Sequence, residues 1–211
     1  MSVSFGRTSR LATLGVGLIT AAALAVAGSG PALAVTADTG GTGTASLTSA
    51  FLANLAKSNV IVLPGSPASS SFSPGAAGIG SGLDAYTLPV TGGNGEVSIF
   101  FGQVDFGGTL MLINAKTSKT VTITNLELNF FTGALTGVLP GGTAQTALAY
   151  VGGDLSTASQ PGPPATESFS ADQLRLSGKA AKALNTDLST TAFLKGSDIG
   201  TFATTFDVTV S

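Results

Sequence analysis

Apolar and polar residues alternate with a period of two along most of the chain beyond residue 95. The clearest runs lie at 97–106, 120–131 and 201–210, and 146–151 and 168–176 predict two further strands. The segment 109–114 is apolar on both faces, which predicts a central strand. In the last run, alternate residues from Phe202 to Val210 are expected to face the core and the residues between them solvent. Such alternation is typical of antiparallel sheets with one buried face. With few helices, about eight such strands predict an all-β fold, an antiparallel two-sheet sandwich with one or two short helices.

Interruptions of the alternation predict where strands bend or end. Gly102 changes the phase between Phe101 and Val104, and Asn125 changes it within the run 120–131. An extra residue in one strand of a pair forms a β-bulge, so we predict a bulge at each of these two positions. Gly107-Gly108 predicts a tight turn into the next strand.

Two segments predict helices. Between residues 46 and 59, apolar side chains recur every four residues, and Thr44 or Ser46 is placed to cap that helix. Ser177 is placed to cap a second helix that runs to Leu188. Each helix has one apolar face, which we expect to be buried.

The first 34 residues have the layout of a secretory signal peptide. Arg7 and Arg10 precede an uncharged core at 11–28, and Pro31-Ala32-Leu33-Ala34 supplies the small residues of a cleavage site. We therefore predict that the mature chain starts at Val35, that it is secreted, extracellular or associated with the cell envelope, and that it keeps no transmembrane segment. A retained anchor is the alternative, because the core is about long enough to span a bilayer.

Composition divides the mature chain into a tether and one domain. Residues 35–45 are small, polar and rich in Gly and Thr, which predicts a flexible linker. Residues 46–211 predict a single domain, with a long loop of Gly, Pro and Ser at 64–82.

The sequence contains no histidine and no cysteine, and its net charge is −2. Histidine is the usual general base near neutral pH, and these two residues supply most transition-metal ligands. A weakly acidic chain without basic clusters also argues against nucleic acid as a partner. We therefore predict a non-enzymatic module without metal or cofactor. Its partner would be a small apolar ligand or an envelope protein, bound at a loop end or an exposed apolar patch.

Carboxylates are the remaining acid–base candidates: Glu96, Asp105, Glu127, Asp154, Glu167 and Asp172. A glycosidase needs two carboxylates held across a cleft, and nothing in this spacing selects a pair. A carboxylate-dependent hydrolase is the less favoured alternative. The segment Leu88-Pro89-Val90-Thr91-Gly92 matches an LPxTG sorting signal, but a long β-rich stretch follows it, so we interpret it as a turn.

Aromatic residues are the remaining binding candidates. Tyr86, beside the long loop, and Tyr150, within a strand pattern, are the two tyrosines and the candidate cofactor-binding residues. Each also has a purely structural interpretation as a half-buried side chain. The pairs Phe100-Phe101 and Phe130-Phe131 each place one ring on either face of a strand, so one ring of each pair is expected to be exposed.

The order of short motifs between Gly95 and Val210 resembles the HtaA family of secreted and surface domains in high-GC Gram-positive bacteria. The likeness rests on segments at 95–106, 110–114, 121–126, 174–177 and 180–185, followed by Ala192-Phe193 and Gly196. The resemblance implies an antiparallel β-sandwich and, in the best-known members, haem binding during iron uptake.

The resemblance also implies a ligand set for the haem iron. The best-known members use a tyrosine in the N-terminal segment as the axial ligand, assisted by a histidine. The corresponding position here is Asn54, and the sequence has no histidine. An asparagine amide is a poor ligand for ferric haem. A haem- or porphyrin-binding function, the alternative reading, would therefore depend on Tyr86, on Tyr150 or on hydrophobic contacts alone.

Overall fold

The computed structural model describes residues 35–72, 83–162 and 164–210. The predicted signal peptide and much of the predicted loop at 64–82 lie outside the described residues. The described part of the chain forms these elements: β1 (Val35–Leu47), α1 (Ser49–Lys57), β2 (Val60–Gly65), β3 (Ser69–Phe72), β4 (Leu83–Gly93), β5 (Gln103–Phe106), β6 (Thr109–Asn114), β7 (Lys119–Asn129), β8 (Ala134–Val138), β9 (Gln145–Gln160), β10 (Ala165–Leu176), α2 (Gly178–Asp187) and β11 (Asp198–Val210).

Eight of the strands close into an antiparallel barrel. Their order is β7-β5-β4-β1-β11-β10-β9-β8, and β8 returns to pair with β7. The prediction of an all-β fold is confirmed, but the prediction of a two-sheet sandwich is wrong. Alternation shows only that each strand has one buried face, and a barrel satisfies that condition as well as a sandwich does. The pairing of β7 with β8 decides between them, and it is a long-range contact that no local pattern records.

Three strands extend this barrel. The first half of β7 continues past β5 and pairs with β6, and β2 pairs with the outer edge of β6. The predicted strand 109–114 is β6, and it lies between β2 and β7, as its apolar residues on both faces predicted. β3 pairs with β4. In the described part of the chain, neither helix has the length and apolarity needed to cross a membrane.

Phenylalanine rings fill the interior of the barrel. Phe106 meets Phe202 edge to face at 5.8 Å, while Phe130 contacts Phe169 at 5.4 Å and stacks on Phe206 at 6.0 Å. Offset and edge-to-face pairs of this kind add to the free energy gained by burial. Gly43 makes room for the first pair, because a Cβ atom there would lie 2.5 Å from Cε1 of Phe106.

Residues 35–45, predicted to be a flexible linker, form most of β1. This strand pairs with β11 from Val35 to Leu47 and with β4 from Thr42 to Ser46. The prediction of a linker was wrong because it considered only the small side chains and not the hydrogen bonds that the backbone makes. A strand with neighbours on both sides gains its hydrogen bonds from the backbone, and small residues suit a position against a large ring.

The two predicted helices exist. α2 begins as expected, with the Ser177 hydroxyl accepting a hydrogen bond from the Ala180 N–H at 3.0 Å. α1 is shorter than predicted, and its N-cap is Thr48, whose hydroxyl accepts from the Phe51 N–H at 3.2 Å. The predicted caps, Thr44 and Ser46, belong to β1 instead.

The predicted strand 97–106 is only partly a strand. Residues 103–106 form β5, whereas Glu96 and Phe101 face each other across a single bridge in a hairpin loop. Phe100 and Gly102 have φ angles of 51° and 76°, so the backbone reverses where the sequence predicted extension with a bulge. The second predicted bulge is confirmed, since Asn125 has a φ of 50° at a register shift between β7 and β8.

Candidate functional site

An apolar groove opens at one end of the barrel. Its volume is about 360 Å³, and it is bounded by two loops and by β9. Its floor is formed by buried residues of the barrel interior, Leu128, Phe130 and Phe169. Its walls are formed by Phe100, Phe131, Thr132, Gly133, Val151 and Leu155. We refer to these nine residues as the aromatic groove.

The hairpin loop 94–102 forms one wall. The Val97 N–H donates a 2.7 Å hydrogen bond to Oε2 of Glu167 on β10, which anchors the loop to the barrel. Phe100 then reaches Phe169 edge to face at 6.4 Å. Ile99 and Phe101 extend outward from the same loop, and the Phe101 side chain is 58% exposed.

The turn between β7 and β8 forms the opposite wall. Both the backbone N–H and the hydroxyl of Thr132 donate to Oδ1 of Asn129 at 3.0 Å, which fixes the turn. Gly133 adopts a φ of 62° and leads the chain back into β8. This geometry leaves the Phe131 ring 81% exposed at the rim of the groove.

Glu167 is a buried acid behind the loop. Only 7% of its surface is exposed. Burial raises the pKa of its carboxyl, the nearby Glu96 carboxylate raises it further, and the hydrogen bond from the Val97 N–H acts in the opposite direction. Because Glu167 does not line the groove, its observed contact is structural: it holds the loop that carries Phe100.

A second cavity lies inside the barrel. It has a volume of about 100 Å³, and apolar side chains from the strands and both helices line it, among them Phe51, Leu184 and Phe193. Voids of this size lined by hydrocarbon normally stay dry. It is too small for a planar tetrapyrrole.

Tyr86 lies against this interior cavity. Its ring is buried, and its hydroxyl donates to the Val62 carbonyl at 2.9 Å. Burial raises the pKa of the phenol well above its usual range, so the group stays protonated at physiological pH. A phenolate ligand for ferric iron needs the opposite state, and the observed environment favours a structural role.

Tyr150 lies on the outer surface of β9, with 46% of its surface exposed. Its cross-strand neighbours are Ala134 and Arg175. The structure therefore separates the two candidate tyrosines, one facing the interior and one facing out. It does not bring them into a common site.

Asn54, where the family resemblance implied an axial tyrosine, makes a structural hydrogen bond. Its side-chain amide donates to the Ala192 carbonyl, which ties α1 to the segment before β11. Asn185 makes a similar link from α2, donating to the Phe193 carbonyl at 2.7 Å. These contacts assign both amides to holding the segment 190–193.

The candidate carboxylates form three separate pairs. Asp105 and Glu127 are cross-strand neighbours on β5 and β7, and burial and Asp105 raise the pKa of Glu127. Asp172 on β10 accepts from the Asp154 N–H on β9 at 2.8 Å. The third pair is the one between Glu96 and Glu167. In the ranges that the structure describes, no three acidic side chains converge to hold a metal ion.

The segment 88–92 lies inside β4 and is not a turn. Leu88 and Val90 are buried in the barrel, and Pro89 pairs with Thr42 of β1. A sorting enzyme would need this segment extended and free. The prediction of a turn was wrong, because the segment is part of strand β4.

The groove was only partly predictable from the sequence. One exposed ring in the pair Phe130-Phe131 is confirmed, but the pair lies in the turn after β7 and not, as the sequence had predicted, in a strand. The pair Phe100-Phe101 differs, because both rings are exposed in a loop. Leu155 was missed, since residues 152–160 are mostly small and polar and their continuation of β9 has no apolar signal.

The fold and the groove together define a class of protein: an all-β barrel domain with an apolar groove lined by aromatic and aliphatic side chains. Among solved structures, the chain is similar to the C-terminal domain of HtaA from Corynebacterium glutamicum. The TM-score is 0.56 at 13% sequence identity, over 83% of this chain and 99% of that chain. At that identity the likeness establishes a shared fold. No family model and no curated protein matches the sequence.

Proposed function

We propose that this chain is a secreted, non-enzymatic module of the cell envelope or extracellular space that binds an apolar ligand in the aromatic groove. The observation that carries the proposal is the groove itself: about 360 Å³, apolar walls, and a floor continuous with the hydrophobic core. Ligand sites are typically concave and mostly apolar and start at about 300 Å³. The signal-peptide pattern at 1–34 supports export.

The surroundings of the groove favour an uncharged ligand. Acidic side chains lie near it: Glu96 and Glu167 are behind the loop wall, and Asp154 directly precedes the groove residue Leu155. They disfavour an anionic head group by Coulomb repulsion. Phe131 and Phe100, on opposite walls, offer ring faces to an apolar or aromatic body between them.

A neutral fluorescent probe tests the proposal. N-phenyl-1-naphthylamine should bind the mature chain saturably with a rise in fluorescence. Phe131→Ser removes one wall and should weaken binding at least about tenfold, because burial of a large apolar side chain contributes about 1.5–3 kcal/mol. Phe101→Ser is the matched control, since Phe101 is an exposed phenylalanine outside the groove. An equal loss in both variants, or none in Phe131→Ser, would contradict the proposal.

Haem is the second candidate ligand, and the exposed ring of Tyr150 is the observation that favours it. Haemin titrated into the mature chain should give a Soret shift if this candidate is correct. Loss of the shift in Tyr150→Phe would assign the iron ligand. A shift that persists in both Tyr150→Phe and Tyr86→Phe would indicate hydrophobic contact alone, and Phe131→Ser would then show whether the groove is the contact.

A further inference from the structure

One stretch of the barrel wall has an open side. β9 extends to Gln160, but its pairing with β8 ends where Tyr150 meets Ala134, and the Val151 N–H then donates to the Gly133 carbonyl. From 152 to 160, β9 pairs with β10 on one side, and no described strand pairs with it on the other. A row of backbone N–H and C=O groups is thus presented to solvent along this edge.

This edge lacks the usual protection. Folded proteins protect exposed edges with lysine, proline, bulges or inward charges. Residues 155–160 (Leu-Ser-Thr-Ala-Ser-Gln) carry no charge and no proline, and their register with β10 is regular. The register shift in this pair falls earlier, around Gly153. By contrast β2, which pairs with β6 on one side among the described strands, carries Pro64.

The segment is also complementary to itself. Two copies of 154–160 placed antiparallel about Thr157 would oppose Thr157 to itself, Leu155 to Ser159, and Asp154 to Gln160. No like charges meet in this register, and threonine pairs stabilise antiparallel sheets. Because opposed residues share a face, each Leu155, a wall residue of the aromatic groove that is 46% exposed, would lie beside Ser159 of the other strand.

We propose that this edge pairs with the same edge of a second copy, so that β9 of one protomer and β9 of its partner form a continuous antiparallel sheet about a two-fold axis at Thr157. The paired segment 154–160 would span about 23 Å. A two-fold axis lets one surface serve both protomers, as in most homodimers. This inference goes beyond the proposed function and does not depend on it.

Cross-linking provides a direct test. The chain has no cysteine, so Thr157→Cys introduces a single thiol per protomer. Directly opposed residues have Cα atoms about 4.5 or about 5.5 Å apart, within the range of about 4.4–6.8 Å that a disulfide spans. We expect mild oxidation to convert most of Thr157→Cys into a covalent dimer. Thr205→Cys, an exposed threonine on the interior strand β11, should stay monomeric under the same conditions.

A charge introduced at Thr157 provides the second measurement. Sedimentation equilibrium of the mature chain should show a reversible dimer, and Thr157→Lys should raise its dissociation constant at least about tenfold by opposing like charges. Mixing Thr157→Lys with Thr157→Glu should restore association. A wild-type chain that is monomeric at several hundred micromolar, or a dimer that Thr157→Lys leaves unchanged, would overturn the proposal. Phe131→Ser should keep the dimer while losing the probe, which separates the two proposals.

Discussion

Glu167 combines burial with a potential negative charge in one side chain. Its carboxylate accepts from the Val97 N–H, which favours ionisation, but burial and Glu96 oppose ionisation, and burial has the larger effect on its pKa. An ionised buried acid with one hydrogen-bond donor lowers the stability of the fold. The residue therefore makes the anchoring of the loop 94–102 sensitive to pH.

The sign of this effect follows from linkage. Because the folded-state pKa is raised, the folded chain holds the proton of Glu167 more tightly than the unfolded chain does. The resulting stabilisation is complete below the ordinary value of 4.5 and is lost as pH rises through the folded-state pKa. We expect Glu167→Gln, whose amide oxygen still accepts from Val97, to be more stable relative to wild type at about pH 7 than at about pH 4. Urea unfolding at both pH values measures this difference.

Two features of the experiment isolate Glu167. Glu127 also has a raised pKa, but it is present in both chains and cancels in the comparison. Glu96→Gln removes the neighbouring charge and should reduce the pH dependence only in part, since burial is the larger cause. A stability difference that is the same at both pH values would contradict this account of Glu167.

Sequence reasoning at this scale identified residues but not their environments. It selected Tyr86 because the residue lies beside a long loop, yet the ring is buried and its hydroxyl bonds the Val62 carbonyl, 24 residues away. It listed Glu167 with five other acids and could not single it out, because its hydrogen-bond partner, Val97, is 70 residues distant. Burial depends on contacts of this range, which composition and spacing do not record.

At the scale of elements, local chemistry was the more reliable guide. Ser177 as the cap of α2 was predictable because a cap and its helix are neighbours in sequence. The same reasoning erred for α1, where Thr48 and not Thr44 or Ser46 is the cap. The strand β1 ends at Leu47, and its pairing with distant strands fixes where the helix can begin.

The two capping residues differ in the hydrogen bonds that their hydroxyls make. The Ser177 hydroxyl accepts from the Ala180 N–H and also donates to the Ala147 carbonyl on β9, and the residue is buried. Thr48 is half-buried, and the contact of its side chain is the bond from the Phe51 N–H. We expect Ser177→Ala to cost about 2 kcal/mol of unfolding free energy and Thr48→Ala about 1 kcal/mol or less.

Chemical denaturation of the two variants checks this order. Both substitutions remove a capping hydroxyl, so their difference isolates the bond that links α2 to the barrel wall. Equal losses in the two variants would mean that the link to Ala147 contributes nothing. A larger loss in Thr48→Ala would contradict the assignment.

At the scale of the whole molecule, barrel closure decides the role of each strand. In a sandwich the N-terminal segment could be dispensable, whereas in this barrel β1 is the one strand that joins β4 to β11. Phe106 lies on β5 and Phe202 on β11, on opposite sides of β1 in the strand order, and their rings meet next to Gly43. The closed wall is therefore what keeps the aromatic interior from solvent.

Removal of residues from the N-terminus tests this closure directly. A chain that starts at Ser46 loses nearly all of β1, so β4 and β11 lose their common neighbour, and we expect no cooperative thermal transition by circular dichroism. A chain that starts at Gly41 loses only residues 35–40, of which 35–37 pair with β11 and none pairs with β4, and it should fold with a lower melting temperature. If the chain from Ser46 unfolded as cooperatively as the chain from Val35, residues 35–45 would be the flexible linker that their composition indicated. In that case the eight strands would not need closure to hold Phe106 against Phe202.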